Sequence, residues 1–407
     1  MLRFKQYLAE AKEGKNLHLE HLEDEVLNNG VEGTRAAINF LQSLRDMLAG
    51  NSKSSVNVTV KWDGAPAIFA GINPENDKFF VGTKGVFNVT PKINYTDADI
   101  DANHSSAGLN AKLKVALKYL SKLGIKNVLQ GDMLFTKEDL KTEKIDGKSY
   151  TTFQPNTILY AVPTDSSAKI LKAKMGIVWH TTYTGKKLED MKASFGASVS
   201  SLTKTSDVWF SDANYEDKSG TVNFNKSETD QITSVLSLAG RKFQTLNSGF
   251  MKNLLSKKDI LLLIKTYSNV KVRAGEKITN TSKHVDDIID YVNTKIQKDI
   301  DKVKTQSSKD KKTKYKEEIV KYLLMSKTHL KNMFDMQNLL IQSKTLVIRK
   351  LEKAKGAMGT FIRTDNGFRV TAPEGFVAID NSGKAVKLVD RLEFSRANFT
   401  AAKAWDK

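Results

Sequence analysis

Cysteine is absent from this chain of 407 residues. That excludes disulfides, thiolate metal sites and a cysteine nucleophile, and it is compatible with a reducing cytoplasm. Histidine is scarce, at six residues, which leaves little from which to build a zinc site. No apolar run approaches the length of a bilayer span, and Met1-Leu2-Arg3-Phe4-Lys5 does not lead into the apolar core of a signal peptide. The expectation is a cytoplasmic protein with no membrane partner. Also missing are a Gly-x-x-x-x-Gly-Lys-Ser/Thr loop, a Gly-x-Gly-x-x-Gly fingerprint and a His-Glu-x-x-His pair, so the common phosphate-loop, dinucleotide and metalloprotease chemistries fit poorly.

What the chain has in excess is positive charge. Its formal net charge is +18, which points to a polyanionic partner, nucleic acid first. The excess is uneven. Residues 226–357 hold 28 Lys and Arg against 14 Asp and Glu, a balance of +14. The plainer alternative is a set of solvated, lysine-rich helix faces.

The pattern of apolar residues predicts an α+β fold. Thr34–Ala49 carries a helical stripe at Ala37, Phe40, Leu41, Leu44 and Leu48. Strands are expected over 56–62, 67–72 and 78–82, then a helix over 108–123, then strands near 127–135, 157–163 and 176–182. Residues 227–355 differ in kind. Val285, Ile288, Ile289, Val292, Ile296, Ile300 and Val303 recur at three and four, as on one buried helix face. Tyr315, Ile319, Leu323, Leu330, Phe334 and Leu340 suggest one further long helix, with polar Gln306–Lys314 as the loop between. Strands resume at Gly359, and Asp365-Asn366-Gly367 reads as a hairpin turn.

Lys61-Trp62-Asp63-Gly64 is the most informative stretch. Val56, Val58, Val60 and Trp62 alternate with Asn57, Thr59 and Lys61, so Lys61 stands on the polar face of a strand end, where Asp63, Gly64 and Pro66 break the strand. Taken alone, Lys61 reads as a surface lysine beside an Asp-Gly turn. Taken with an ordered set of later motifs, it reads as a nucleophile. Those motifs are Val81-Gly82-Thr83-Lys84-Gly85, Val128-Leu129-Gln130-Gly131-Asp132-Met133, Met175 to Tyr183 followed by Gly185-Lys186-Lys187-Leu188, Pro373-Glu374-Gly375-Phe376-Val377, and Lys384-Ala385-Val386-Lys387-Leu388-Val389.

In order and type, these segments resemble the covalent nucleotidyltransferase superfamily, and within it the ATP-dependent polynucleotide ligases of RNA type. The wording of Val60-Lys61-Trp62-Asp63-Gly64-Ala65-Pro66-Ala67 and of the His18–Asp24 block is similar to uncharacterised ligase-like proteins of tailed phages. The resemblance implies a nucleotidyltransferase core of antiparallel sheets flanked by helices, with a large all-α insertion. Residues 1–50 would form a helical segment packed on the core, 51–225 and 358–407 its two parts, and 226–357 the basic insertion. It implies Lys61 as the lysine that takes AMP, with Asp63 beside it and Lys387 as the basic residue of the last motif. Lys84 would hold the nucleotide, and Trp179 or His180 would stack on its base. Glu374 and Asp132 would hold Mg2+ or Mn2+.

The sequence departs from the family in three places. Lys84 stands where arginine is usual, Asp132 where glutamate is, and Val389 where a second lysine is. The short stretch after Val389 argues for RNA ahead of DNA as substrate, since an OB-fold usually follows in DNA ligases. The basic helical insertion would contact the nucleic acid. Two other readings compete: a non-catalytic nucleic-acid-binding or virion-associated protein with a ligase-like fold, and an enzyme that adenylylates something other than a nucleic-acid end. His18, Glu20, His21 and Asp24 form a dense polar block, read either as metal ligands or as an exposed helix start.

Overall fold

The computed structural model describes residues 20–50, 57–214, 223–353, 358–364, 367–370, 374–379 and 385–392. His18 and Asp365-Asn366 therefore lie outside the described residues. In chain order the strands are β1 (Asn57–Lys61), β2 (Ala67–Ile72), β3 (Phe79–Gly82), β4 (Val128–Thr136), β5 (Lys141–Ile145), β6 (Lys148–Phe153), β7 (Leu159–Pro163), β8 (Met175–Thr184), β9 (Lys192–Phe195), β10 (Val208–Asp212), β11 (Gly359–Thr364), β12 (Gly367–Val370), β13 (Gly375–Ile379) and β14 (Ala385–Leu388). The longer helices are α1 (Gly30–Leu48), α2 (Ala107–Leu120), α3 (Lys226–Gln244), α4 (Ser248–Ser256), α5 (Lys258–Ala274), α6 (Thr281–Asp301), α7 (Gln306–Met325) and α8 (Lys327–Leu351). The fold is α+β, with largely antiparallel sheets and a separate run of helices. Among the described residues no helix is long and apolar enough to cross a membrane.

Three sheets divide the strands. The largest has the order β10-β8-β4-β2-β3 with β9 on β8, antiparallel apart from the β10–β8 pair. Helix α2, capped by the Ser106 hydroxyl, lays Leu113, Ala116 and Leu120 on one face of it against Ile68, Ala70, Met133, Ile177 and Trp179. A second sheet has the order β12-β11-β7-β6-β5. Its β5–β6 hairpin turns on Asp146 and Gly147, with φ of 48° and 77°. Positive φ at both central residues is the type I′ requirement, and Asp-Gly meets it.

The third sheet is small, β1-β13-β14, and it joins the two halves of the molecule. Val58, Val60, Phe376, Ala378, Val386 and Leu388 point from one face into the apolar cluster of the helical block. The opposite face carries Thr59 and Lys61 from β1, Val377 from β13 and Lys387 from β14, by the pairings Thr59↔Val377 and Val377↔Lys387. Alternation thus makes one side of the sheet a packing surface and the other a polar wall.

Ala37, Leu41, Leu44 and Leu48 of α1 share the cluster of α3–α8 and the back of the small sheet. The polar stretch 306–314 is not a loop but the first half of α7, and the single long helix expected after it is two, broken at Ser326. Lysine and glutamine are good helix formers, and an outer helix needs no wide apolar stripe. In α7 only Ile319 and Leu323 are buried.

A buried charge cluster fastens the N-terminal segment to both halves. The Lys344 ammonium uses all three of its donors, to Glu23 Oε1 (2.8 Å), Glu23 Oε2 (2.7 Å) and the Val389 carbonyl (2.9 Å). Lys344 and Glu23 are each 2% exposed. Nearby, Arg391 donates to Asp24 (2.9 Å) and to Asn269 (3.0 Å). In the Glu20–Asp24 part of the polar block Glu20 is exposed ahead of a short helix at Leu22–Asp24, His21 and Asp24 are half-buried, and Glu23 is buried. Removing one partner of a buried pair strands the other charge, which costs about 3–5 kcal/mol. Glu23→Ala is expected to lose about that much in urea unfolding, and an unchanged midpoint would show that the pair does not anchor the segment.

Candidate active site

Lys61 is the last residue of β1 and pairs with Gly375, the first of β13. That register sets its side chain beside Glu374, and the Lys61 ammonium donates directly to Glu374 Oε2 although 313 positions separate the two residues. Gly375 sits at φ +149°, and a Cβ there would come within 2.6 Å of the Leu388 carbonyl oxygen. Only glycine lets β13 start so close to the end of β14.

Asp63 does not face the cleft with Lys61. It is 3% exposed and accepts three hydrogen bonds, from Asn156 Nδ2 (2.8 Å) and the backbone N–H groups of Thr157 and Ile158 (2.7 Å each). Its own N–H donates to the Tyr160 hydroxyl at 2.8 Å, and the Trp62 ring lies 5.3 Å from that of Tyr160. Burial pushes the Asp63 carboxyl above the ordinary range, against the three donors and the Lys61 charge. The residue's work is to pin the turn after β1. Next to it, a Cβ on Gly64 would come within 2.6 Å of the Asp132 Cβ, so this glycine lets the turn pass against β4.

Asp132 lies mid-strand on β4, opposite Ala67 of β2 and Val178 of β8. A register shift of β8 on β4 falls at His180, and it brings His180 Nε2 within 3.7 Å of Asp132 Oδ1. His180 Nδ1 lies 2.8 Å from the Thr181 hydroxyl. Trp179 points the other way. It is fully buried under α2 with Ile68, Met133 and Ile177, so it is core rather than a surface on which a base could stack. A Cβ on Gly131 would come within 2.8 Å of the Trp179 ring, which explains the glycine of Gln130-Gly131-Asp132. Of the two aromatic candidates, His180 is the one whose ring reaches the Asp132 carboxylate.

The electrostatics centre on Lys61. Burial alone would push its ammonium down, but Glu374, and after it Asp132 and Asp63, hold it above the usual lysine range. Glu374 is 6% exposed, and burial raises its carboxyl while Lys61 draws it back. Lys387 stands two strands away on the same face; burial, then the charge of Lys61, lowers it. Among the described residues Lys387 has no ion-pair partner. Lys84 is exposed in the turn after β3, and no contact joins it to Lys61, Asp132 or Glu374.

The chain belongs to a family of unknown function, DUF6267. The family model matches residues 16–403, so β1, the helical block and β14 fall within a single matched span. No curated protein and no solved structure matches the chain.

The residues that sequence reasoning missed are those that hold the turn. Asn156 and Tyr160 lie about a hundred positions from Asp63 and carry no motif. His21 was noticed, but its place was not. A backbone bridge pairs it with Lys387, whose N–H donates to the Glu20 carbonyl at 2.9 Å. A parallel bridge puts paired residues on one face, so His21 joins the Lys61 and Lys387 side of the small sheet. Burial, and then the cations Lys344, Arg391, Lys387 and Lys61, hold His21 neutral, well below the usual histidine range.

Asp63→Ala would leave the Asn156 amide and two backbone N–H groups without an acceptor, at about 1–3 kcal/mol for each donor that water does not reach. The expected result is a clear fall in the urea midpoint, and Asp63→Asn should retain part of it. A wild-type midpoint for Asp63→Ala would show that the turn does not depend on this carboxylate.

Proposed function

We propose that this protein is an ATP-dependent polynucleotide ligase of RNA type, which joins RNA (or DNA) ends through a lysyl-AMP intermediate on Lys61. On this reading the three sheets are a nucleotidyltransferase core and α3–α8 a nucleic-acid-binding insertion. The observation that carries it is the grouping of Lys61 with Glu374 and Asp132, brought together from segments far apart in the chain. Perturbed, partly buried charges in a cleft mark functional sites more often than structural ones.

In the first step the neutral Lys61 amine attacks the α-phosphorus of ATP. The N–P bond forms, the bond to pyrophosphate breaks, and the ammonium proton leaves to solvent. AMP then passes to a 5′-phosphate, freeing Lys61, and a 3′-hydroxyl displaces AMP as the strand is sealed. Lys387 would balance charge on the phosphate oxygens, and His180 would meet the base. Mg2+ commonly takes one or two carboxylates and completes its shell with water and substrate phosphates. Glu374 and Asp132 would serve as those two carboxylates. Among the described residues no group of three or more His, Asp or Glu is arranged to hold an ion alone. When bound, the ion would offset phosphate charge and compete with Lys61 for Glu374.

A second reading is a non-catalytic nucleic-acid-binding protein of the same fold. The ion pair that keeps Lys61 protonated favours it, as does Val389 in the place of a second lysine.

Incubation with α-labelled ATP and a divalent metal, followed by denaturation, separates the two. Labelled wild type and unlabelled Lys61→Ala are expected, with Glu374→Ala and Asp132→Ala slower by about 10²–10³-fold. Because Lys61 is raised above 10.5, its reactive form is the minor one at neutral pH. Labelling should climb roughly tenfold per pH unit between about pH 7 and 9 while deprotonation limits it. Wild type that takes no label at any pH would rule out the ligase reading.

A further inference from the structure

A cavity of about 990 Å³ opens between residues 20–28, α5, α8 and the end of β14. That volume sits at the upper end of the 300–1,000 Å³ common for small-ligand sites. Its walls hold three cations already paired: Lys344 with Glu23, Arg391 with Asp24, and Lys271 with Glu276. Four more line it without an ion pair among the described residues: Lys265, Lys277, Arg349 and Lys387. Glu20 and Asp390 are the remaining acids of the lining, so cations are in excess.

Among the described residues, two buried polar atoms in this lining lack partners. Arg391 spends both terminal nitrogens on Asp24 and Asn269, yet its Nε is buried and unbonded, and so is Nδ1 of His21. A guanidinium Nε–H only donates, and a buried donor without an acceptor calls for an explanation such as an ion. An anion in the cavity would supply it. Lys387 connects this space to the chemistry, because it lines the cavity and stands on the Lys61 face of the small sheet.

A second groove, of about 620 Å³, continues the first over α5 and α6 and shares Lys271 with it. There Tyr267 and Tyr291 lie 5.1 Å apart between ring centres, with Lys271 and Lys295 each 5.4 Å from one ring. Lys298, Asp290 and an ion pair of Lys283 with Asp287, all on α6, also line this groove. Tyr267 is only 8% exposed, so the half-buried Tyr291 ring, with the lysines around it, is what suits the bases and backbone of a single strand.

We propose that the cavity holds the terminal phosphate of a single-stranded polynucleotide, with the strand leaving past Lys271 along the Tyr267–Tyr291 groove. The assignment of the strand as substrate rests on the ligase reading; the binding itself is measured separately.

The test uses the full chain and ten-nucleotide single strands labelled at the 3′ end, carrying either a 5′-phosphate or a 5′-hydroxyl, with anisotropy read across a salt series. Wild type should bind the phosphorylated strand at least about fivefold more tightly. The double variant Lys265→Gln/Arg349→Gln should weaken it about tenfold and lose the preference. Lys298→Gln should weaken both strands alike and reduce the salt slope by about one. These side chains leave the core untouched, and circular dichroism checks folding. Equal affinity for both ends, or a double variant that binds like wild type, overturns the proposal. Displacement by tripolyphosphate at strand-like concentrations also overturns it, since the cavity would then take a nucleotide's own polyphosphate. So does equal binding of a blunt duplex. Lys61 labelling by ATP in the same wild-type sample keeps the two claims apart. Label without end preference removes only the cavity, and end preference without label removes only the ligase.

Discussion

An ammonium held by a carboxylate from the other end of the chain is the interaction on which the rest of this structure depends. Lys61 and Glu374 meet because β1 and β13 pair in one register, Lys61 opposite Gly375. A slip of one residue would turn Lys61 into the apolar cluster and Val60 into the cleft. The register is held from several sides. Val58 and Val60 are locked into the helical cluster, Asp63 is tied to the loop before β7, and Gly375 is pressed against the end of β14. Each of these contacts lies behind or beside the cleft, so positioning is built into the scaffold and not into the side chains that would touch a substrate.

The same pairing sets the resting charge state. Three carboxylates, Glu374, Asp132 and Asp63, outweigh the desolvation that would otherwise push Lys61 toward its neutral form. A lysine in that state is quiet toward electrophiles. Any ligand that engages Glu374 and Asp132 removes the two largest forces keeping the proton in place, and Lys387 on the same face adds a repulsion in the same direction. Nucleophilicity would then be conditional on what occupies the cleft. That is the behaviour wanted of an amine that must not react before its substrate is seated.

Local pattern carried much of this into view. Alternation located β1 and the polar side of Lys61, and helical periodicity separated the 226–351 block from the strands around it. What local pattern could not supply is orientation across a bulge. Trp179 and His180 are neighbours, and the register shift on β4 decides that one is core and the other cleft. Nor could it supply partners without motifs, such as Asn156 and Tyr160 around Asp63. Lysine-rich Gln306–Lys314 looked like a loop because apolar spacing was the only signal sought, whereas an exposed helix is stabilised by propensity and by pairs such as Gln306 to Asp310 at 2.7 Å. Lys84 had the right neighbours in sequence and still projects to solvent.

The helical block bears on the site more than an appended domain would. Its apolar cluster includes the back of β1, β13 and β14, so the strand that presents Lys61 is packed on the helices behind it while its edge is bonded to the chain just after β10. The Lys344–Glu23 pair in that block also fixes the Val389 carbonyl, at the end of the strand that carries Lys387. A shift of α8 would therefore be felt at Lys387 through one strand, and at Lys61 through the next. The packing of the helices and the charge of Lys61 therefore meet on the same small sheet, one on each of its faces.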